Sequence, residues 1–320
     1  MTKTTPLYES ILRQRESLTR LLADPLEDLA SSCRAVWGRR EALNGVLATG
    51  IHRLPHCKFL YAVDPRCVQL SDNVSQTGLL TEDFGRDRSQ RPYMRTLPDH
   101  GLLLSEAYIS LRAERPSLTA LQAVRTDTGE LLGYLGVDFD LRDLPQTREL
   151  YEEPARWQQL KGDPAIRGAV FQQTRSDSPM DMRIDDVMAV LEELITEHGV
   201  FHATIHYSSS RAVIWLTQDP YRYRLLDYEA LVDPDICLAY PRQPYPDNAA
   251  VPAAQIRPIL RRMRALRYAD PSIYLRASSI NIFNGLVSLT FSCDGSHYMP
   301  YKEFLDQDMA FWGQDGGVAS

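Results

Sequence analysis

Four side chains between residues 90 and 140 are of the types that hold a small polar molecule. Arg91 and Tyr93 stand two apart in GRDRSQRPYM, Tyr108 falls in LSEAYIS, and Asp138 lies near the end of ELLGYLGVDFDL. An arginine can grip a carboxylate through two parallel hydrogen bonds. An aspartate can accept from an ammonium or an N–H, and aromatic rings exclude water from such a site. Arg86, Asp87, Arg88 and Ser110 lie close by in sequence and would stand behind this ring. Asp87 and Arg88 read as solvated charges of a loop.

Other groupings are weaker. His198, His202 and His206 are spaced by four, which on a helix would align three imidazoles for a metal. Gly199 breaks that helix, and FHATIHY alternates like a strand, which sets His202 and His206 too far apart for one ion. No metal site is expected. Arg257, Arg261, Arg262, Arg264 and Arg267 crowd one segment and read as a solvated helix face over Ile259, Leu260, Met263 and Leu266. Gly129, Gly133 and Gly136 lie in a hairpin and do not lead from strand to helix, so they make no dinucleotide loop. The sequence has no Walker A run, no H-E-x-x-H, no G-x-S-x-G and no C-x-x-C. No cofactor is expected, and binding is favoured over catalysis.

The chain has 320 residues, 44% of them hydrophobic and 24% charged, with a formal charge of -7. That length suggests two domains. The acidic balance gives no general attraction for nucleic acid. Five cysteines, Cys33, Cys57, Cys67, Cys237 and Cys293, form no pairs at metal or redox spacing and fit reduced thiols in a cytosol. The start MTKTTPLYESILRQRESL has no apolar run behind a basic head, and no stretch of about 20 apolar residues occurs, so neither a leader nor a membrane span is expected. A cytoplasmic location follows as the expectation.

The elements that must position Arg91, Tyr93, Tyr108 and Asp138 are legible from periodicity. Leu7 to Trp37 reads as helix, with Ile11, Leu18, Leu22, Leu29, Cys33 and Val36 on one face. Asp24-Pro25-Leu26-Glu27 carries start signals, so two tandem helices or one kinked helix is expected. The apolar face serves as a core seam or as a homodimer surface. Phe59–Val63 reads as a strand, with Cys67–Leu70 as its hairpin partner after Asp64-Pro65. Thr81 to His100 is polar and irregular. Ala107–Leu111, Thr119–Thr126 and Leu131–Phe139 read as strands, the last two joined by Asp127-Thr128-Gly129-Glu130. After a connector with a helix near Pro154–Leu160, Ile184–His198 reads as helix and Gly199 as its cap. Phe201–Tyr207, Ala212–Thr217 and Ile236–Tyr240 read as strands and Pro252–Tyr268 as helix. Ser272–Phe283 and Leu286–Ser292 form a hairpin at Asn284-Gly285. The fold class is α+β in both halves.

The ordered series FLYAVDPRCVQLSDNV, GRDRSQRPYM, LSEAYIS, ELLGYLGVDFDL resembles the Cache (PhoQ-DcuS-CitA-like) sensor domains, a PAS-like family, over about a third of the chain. In members that bind amino acids, an arginine followed by Trp-Tyr holds the ligand carboxylate, and an aspartate after the last Gly-Val holds the amine. The resemblance places Arg91, Tyr93 and Asp138 at those positions and Tyr108 at the strand tyrosine. Pro92 stands at the tryptophan position, Arg86 at an expected tyrosine and Ser110 at an expected aspartate.

The resemblance implies a Cache sensor domain over 41–145 behind a helical spine over 1–40, and it does not reach the C-terminal half; composition and periodicity give a connector over 146–182, a second α+β domain over 183–305 and a tail over 306–320. The resemblance implies a small-molecule sensor of bacterial signal transduction that passes its signal to a separate protein. The alternatives are a partner-binding protein with a vestigial pocket, and an enzyme with its site in the C-terminal half.

Overall fold

A computed structural model describes residues 6–112, 114–144, 151, 174–292 and 295–307. The helix expected at Pro154–Leu160, Cys293 and most of the connector and tail lie outside them. The chain divides into two compact units, Met1–Thr147 and Arg148–Ser320.

The first unit opens with α1 (Pro6–Arg34) and α2 (Arg40–Gly50). The helix α1 is continuous, with Pro25 inside it, and ends before Trp37. Seven strands follow: β1 (Phe59–Val63), β2 (Asn73–Ser75), β3 (Gly78–Leu80), β4 (Leu102–Leu104), β5 (Tyr108–Ile109), β6 (Pro116–Arg125) and β7 (Leu131–Asp140). They form one antiparallel sheet in the order β3-β2-β1-β7-β6-β4, with β5 paired to β6. Cys67–Leu70 does fold back antiparallel on β1, with Asp64 N donating to Val68 O and Leu70 N to Ala62 O, both at 2.8 Å, but it forms no named strand. It makes isolated bridges at Val63↔Gln69 and Val68↔Asp87, because backbone bonds from Gln69 and Arg88 tie it to the 85–88 segment.

The apolar stripe of α1 packs on the unit's own sheet. Ile11, Leu18, Leu22, Leu26, Leu29 and Cys33 are all buried. The homodimer expectation therefore loses that stripe, and of the large apolar residues of α1 only Leu12 and Leu21 face outward. Polar anchors fix the helix in register. Arg15 Nη2 donates to the carbonyls of Leu104 and Ser105 at 2.8 and 2.9 Å. Gln122 Nε2 donates to Glu27 at 2.9 Å, and Trp37 Nε1 to the carbonyl of Leu132 at 2.9 Å. Alternation along a strand sends neighbours to opposite faces. Ala120, Gln122 and Val124 thus share the helix side, while Thr119, Leu121 and Ala123 share the other.

The second unit holds α3 (Pro179–Met182), α4 (Ile184–Glu197), β8 (Val200–His206), β9 (Arg211–Leu216), β10 (Asp219–Leu226), α5 (Tyr228–Leu231), α6 (Ala253–Ala269), β11 (Leu275–Asn281), β12 (Leu286–Phe291), β13 (Ser296–Pro300) and α7 (Tyr301–Asp306). Its six strands run β10-β9-β8-β11-β12-β13, all antiparallel. The unit is two helix-then-three-strand halves, meeting where β8 pairs with β11. Gly199 takes φ +73 at the end of α4, a left-handed conformation that suits glycine. Ile236–Tyr240 is not a strand: Pro234–Ala239 forms a buried 3-10 helix. A short apolar run buried on all sides carries no period to distinguish the two.

The arginines of α6 are mostly paired, not a solvated face. Arg257 meets Glu192 at 2.8 Å, Arg264 meets Asp185 at 2.6 Å, and Arg262 donates to the carbonyl of Phe304 at 2.9 Å. Arg267 is fully buried and grips Asp181 with two bonds of 2.8 and 2.7 Å. His198 is buried, its Nδ1 2.8 Å from the carbonyl of Tyr240, and burial lowers its pKa to about 4. No group of three His, Cys, Asp or Glu among the described residues could hold a metal ion. No helix among them is long and apolar enough to cross a membrane.

Candidate functional site

The side of the first sheet opposite α1 carries a cavity of about 80 Å³. Its walls come from β1, β5 and β7 and from the irregular segment between β3 and β4. Arg91, Tyr93, Tyr108 and Asp138 all line it, as do Arg86, Arg88 and Ser110. Asp87 does not. It is exposed, and its carboxylate accepts from the backbone N–H of Ser89, which lowers its pKa.

Strand register explains the floor. Asp138 lies opposite Thr119 on β6 and Phe59 on β1, and Gly136 lies opposite Tyr61. Residues 136 and 138 share a face, so Tyr61 and Thr119 flank the carboxylate. Thr119 Oγ1 donates to Asp138 Oδ1 at 2.7 Å, and Tyr61 OH donates to the same oxygen at 3.1 Å. Thr119 has one proton and gives it to Asp138. In the 2.8 Å contact between Tyr108 OH and Thr119 Oγ1 the phenol is therefore the donor. Oδ2 of Asp138 has no hydrogen-bond partner among the described residues. Burial raises the pKa of Asp138, an effect that Arg88, Thr119 and Tyr61 only partly offset. Burial, aided by Asp138, also raises Tyr61 and Tyr108 well above the usual phenol value, so both stay protonated.

Gly136 makes the placement of Tyr61 feasible. A Cβ there would stand 2.4 Å from the Tyr61 ring. The ring also carries the Arg88 guanidinium, 4.0 Å from its centroid. Arg88 is only 6% exposed. It donates to Gln69 Oε1 at 2.6 Å, Asn73 Oδ1 at 3.0 Å and Tyr93 OH at 2.8 Å. Its reading as a solvated loop charge is thus corrected. The neutral partners that bury it come from residues 15 and 19 positions away, a proximity that sequence spacing does not reveal. Burial works against its cation, and the nearby Tyr61, Tyr93 and Asp138 outweigh it, raising its pKa.

Pro92 sets the pose of the roof. A residue before proline is pushed to extended backbone, and Arg91 has φ -74 and ψ 143. Pro92 then opens a single 3-10 turn that buries Tyr93 and Met94. The Tyr93 and Tyr108 rings lie 5.2 Å apart between centroids. Arg91 is half-buried, its guanidinium carbon 5.6 Å from the Tyr93 ring centroid. Among the described residues its side chain has no hydrogen-bond or ion-pair partner. Arg91 and Asp138 do not pair with each other.

Asp83 and Arg112 form the rim with Arg86. Arg86 meets Asp83 at 2.8 Å, and Arg112 meets Glu82 at 3.0 Å and Asp83 at 3.6 Å. Sequence reading passed over Tyr61, Asp83, Arg112 and Thr119. Period-two alternation from Asp138 and its hairpin partner could have found Thr119.

Four of the five cysteines are described, and all are buried free thiols. Burial lifts the Cys33 thiol to about 12, which keeps it unreactive.

No family model matches the chain, and no curated protein matches it. Solved structures do align with part of it. One is an extracellular ligand-binding receptor from Desulfohalobium retbaense, at 15% identity and TM-score 0.34, over 43% of this chain and 25% of that one. Another is the ligand-binding domain of the Campylobacter jejuni chemoreceptor Tlp3 in complex with L-valine, at 14% identity and TM-score 0.32, over 43% and 58%. A third is the ligand-binding domain of the Pseudomonas fluorescens chemoreceptor CtaA in complex with L-alanine, at 19% identity and TM-score 0.29, over 39% and 51%. The chain thus spans between a quarter and three fifths of these neighbours' lengths.

Proposed function

We propose that the first unit is a sensor module that binds a small carboxylate-bearing molecule and passes the event to a separate signalling protein, without chemical turnover. One observation carries this reading. Arg91 has a guanidinium without a partner among the described residues, and Asp138 has an open oxygen, in the same cavity and unpaired with each other. Opposite charges that share a small cavity without touching leave room for a molecule between them. Arg91 takes the ligand carboxylate, Asp138 accepts from a ligand N–H or O–H, and Tyr93 and Tyr108 close the sides.

The cavity is small beside the roughly 300–1,000 Å³ of common ligand pockets. It therefore suits a ligand of few heavy atoms. Thr119 lies on the ligand side of β6, and its neighbours Ala120 and Gln122 lie on the α1 side, so a strand displaced by ligand moves the seat of the helix. Such a device needs a ligand with unequal affinity for two poses.

A thermal-shift screen of small carboxylic acids tests the proposal. A ligand of the folded state raises the melting temperature as its concentration passes its Kd. A rise seen in the native chain and lost in Arg91→Ala supports the assignment. A rise that survives Arg91→Ala moves the ligand elsewhere, and no rise across the acids removes the reading.

A further inference from the structure

We propose that this pocket selects a compact anion over a zwitterion of the same shape, and that Arg88 sets the preference. The inference rests on the carboxylate-binding reading above and names the ligand's charge class.

The charges around the cavity do not cancel. Asp83, Arg86, Arg88, Arg91, Arg112 and Asp138 line it. At the rim, Arg86 and Arg112 are answered by Asp83 and by Glu82 just outside. That leaves Arg88 and Arg91 facing the single carboxylate of Asp138, one positive charge in excess. Asp138 cannot serve both arginines, since its Oδ1 is held by Thr119 and Tyr61 and it forms no ion pair among the described residues.

Arg88 is the unusual member. Its hydrogen-bond partners are an amide, a second amide and a phenol, and its face rests on the Tyr61 ring. All are neutral. Asp138 lies near enough to favour its charge, but among the described residues no carboxylate touches it, and a buried guanidinium without an ion pair is costly, since cations at such depth are normally paired. In a chain of formal charge -7, a cavity with surplus positive charge is a local reversal that a ligand anion cancels. A zwitterion brings its own cation with its carboxylate and leaves the surplus in place. Protonation of Asp138 would only enlarge the surplus, so the sign of the preference does not depend on that group.

L-Lactate and L-alanine make a direct test. They share a carboxylate, a methyl group and a stereocentre, and differ in a hydroxyl against an ammonium. Calorimetric titration of the full chain at neutral pH should show lactate binding at least about tenfold more tightly, the scale of one unit charge across a few ångströms in a partly solvated site. In Arg88→Gln the ratio should fall towards one, and Arg88→Lys should restore it. Gln69→Glu reaches the same end without touching Arg88: it sets a carboxylate 2.6 Å from Nε, at the cost of the two bonds that Gln69 Nε2 donates to Ser71 and Asn73, and the ratio should again fall. It decides the matter if Arg88→Gln does not fold. Alanine binding as well as or better than lactate overturns the proposal while the carboxylate-binding reading stands. A ratio unchanged in folded Arg88→Gln or Gln69→Glu removes Arg88 as its cause. Binding of neither acid overturns this inference, and the carboxylate-binding reading falls with it only where the wider screen of small acids also gives no rise.

Discussion

Each unit of the chain places an aspartate and an arginine in a sheltered position, and the two pairs behave in opposite ways. In the second unit Arg267 and Asp181 are locked: two bonds join them, Arg267 Nη1 donates to the carbonyl of Leu275 at 2.8 Å, and the guanidinium sits near the Tyr207 and Tyr274 rings. Burial would raise Asp181, but the Arg267 fork and the capping bonds to Ser178 outweigh it and lower its pKa. In the first unit Asp138 is held by hydroxyls alone and its pKa is raised. The same two residue types make a finished joint in one place and an open one in the other. The difference lies in whether the polar valences are filled by the protein, and the unfilled pair is the one that lines a cavity.

The sharpest way to break this contrast is to cut the finished joint. Arg267→Ala should lower the stability of the second unit by about 3–5 kcal/mol, because it strands a buried carboxylate. Denaturant unfolding followed on that unit's transition measures it. A loss below about 1 kcal/mol would mean that the pair is not structural. Next in size is Gly136→Ala. The added methyl group must displace Tyr61, which should cost about 1–3 kcal/mol by overpacking and weaken ligand binding together with it. Retained binding at unchanged stability would show that Tyr61 is not held as described. Tyr108→Phe removes one hydrogen bond, to Thr119, and should cost about 0.5–1.5 kcal/mol in the first unit.

Acidity sharpens the comparison without cutting anything. A carboxyl group raised on folding contributes stability below its unfolded pKa, which is lost as pH climbs through the folded value. A lowered one contributes above its unfolded pKa and loses that as pH falls. Stability from Asp138 therefore fades as pH rises above the ordinary carboxylate range, and stability from Asp181 fades as pH falls below it. Asp138→Asn keeps the acceptor for Thr119 and Tyr61, and should flatten the first trend only. Parallel pH series on the two unfolding transitions check this, and equal slopes in native chain and variant would contradict it. The smallest effect is that of Arg91→Ala. With no hydrogen-bond or ion-pair partner to strand, it should change stability by less than about 0.5 kcal/mol, while the proposed ligand response should be lost.

The legible parts of the fold are those with a period. The β6–β7 hairpin follows from two strand-length apolar runs joined by the Asp127–Glu130 turn, and α4 and α6 from their apolar stripes. Three-residue strands such as β2 and β3 are too short to show a period, and β10 has no clear strand signal because Pro220 and two arginines interrupt it. At the site, sequence order was enough to bring Arg91, Tyr93, Tyr108 and Asp138 together. Arg88 was misread because its burial depends on where Gln69 and Asn73 arrive in space. Likewise the charge balance of the cavity depends on Glu82 reaching Arg112 across 30 positions.

The alternation along β6 has a consequence for how this chain can change over generations. One strand holds Asp138 in place at the cavity through Thr119 and beds α1 on its other face, on alternate residues. Inserting or deleting a single residue within it would swap the two surfaces wholesale, setting Ala120 and Gln122 over the cavity and Thr119 beneath the helix. Length changes inside β6 or β7 must then arrive in pairs or be lost, whereas the exposed Asp127–Glu130 turn can absorb them singly. Descendants of this sequence should vary freely at that turn, while the spacing from Thr119 to Asp138 changes only through the turn between the two strands.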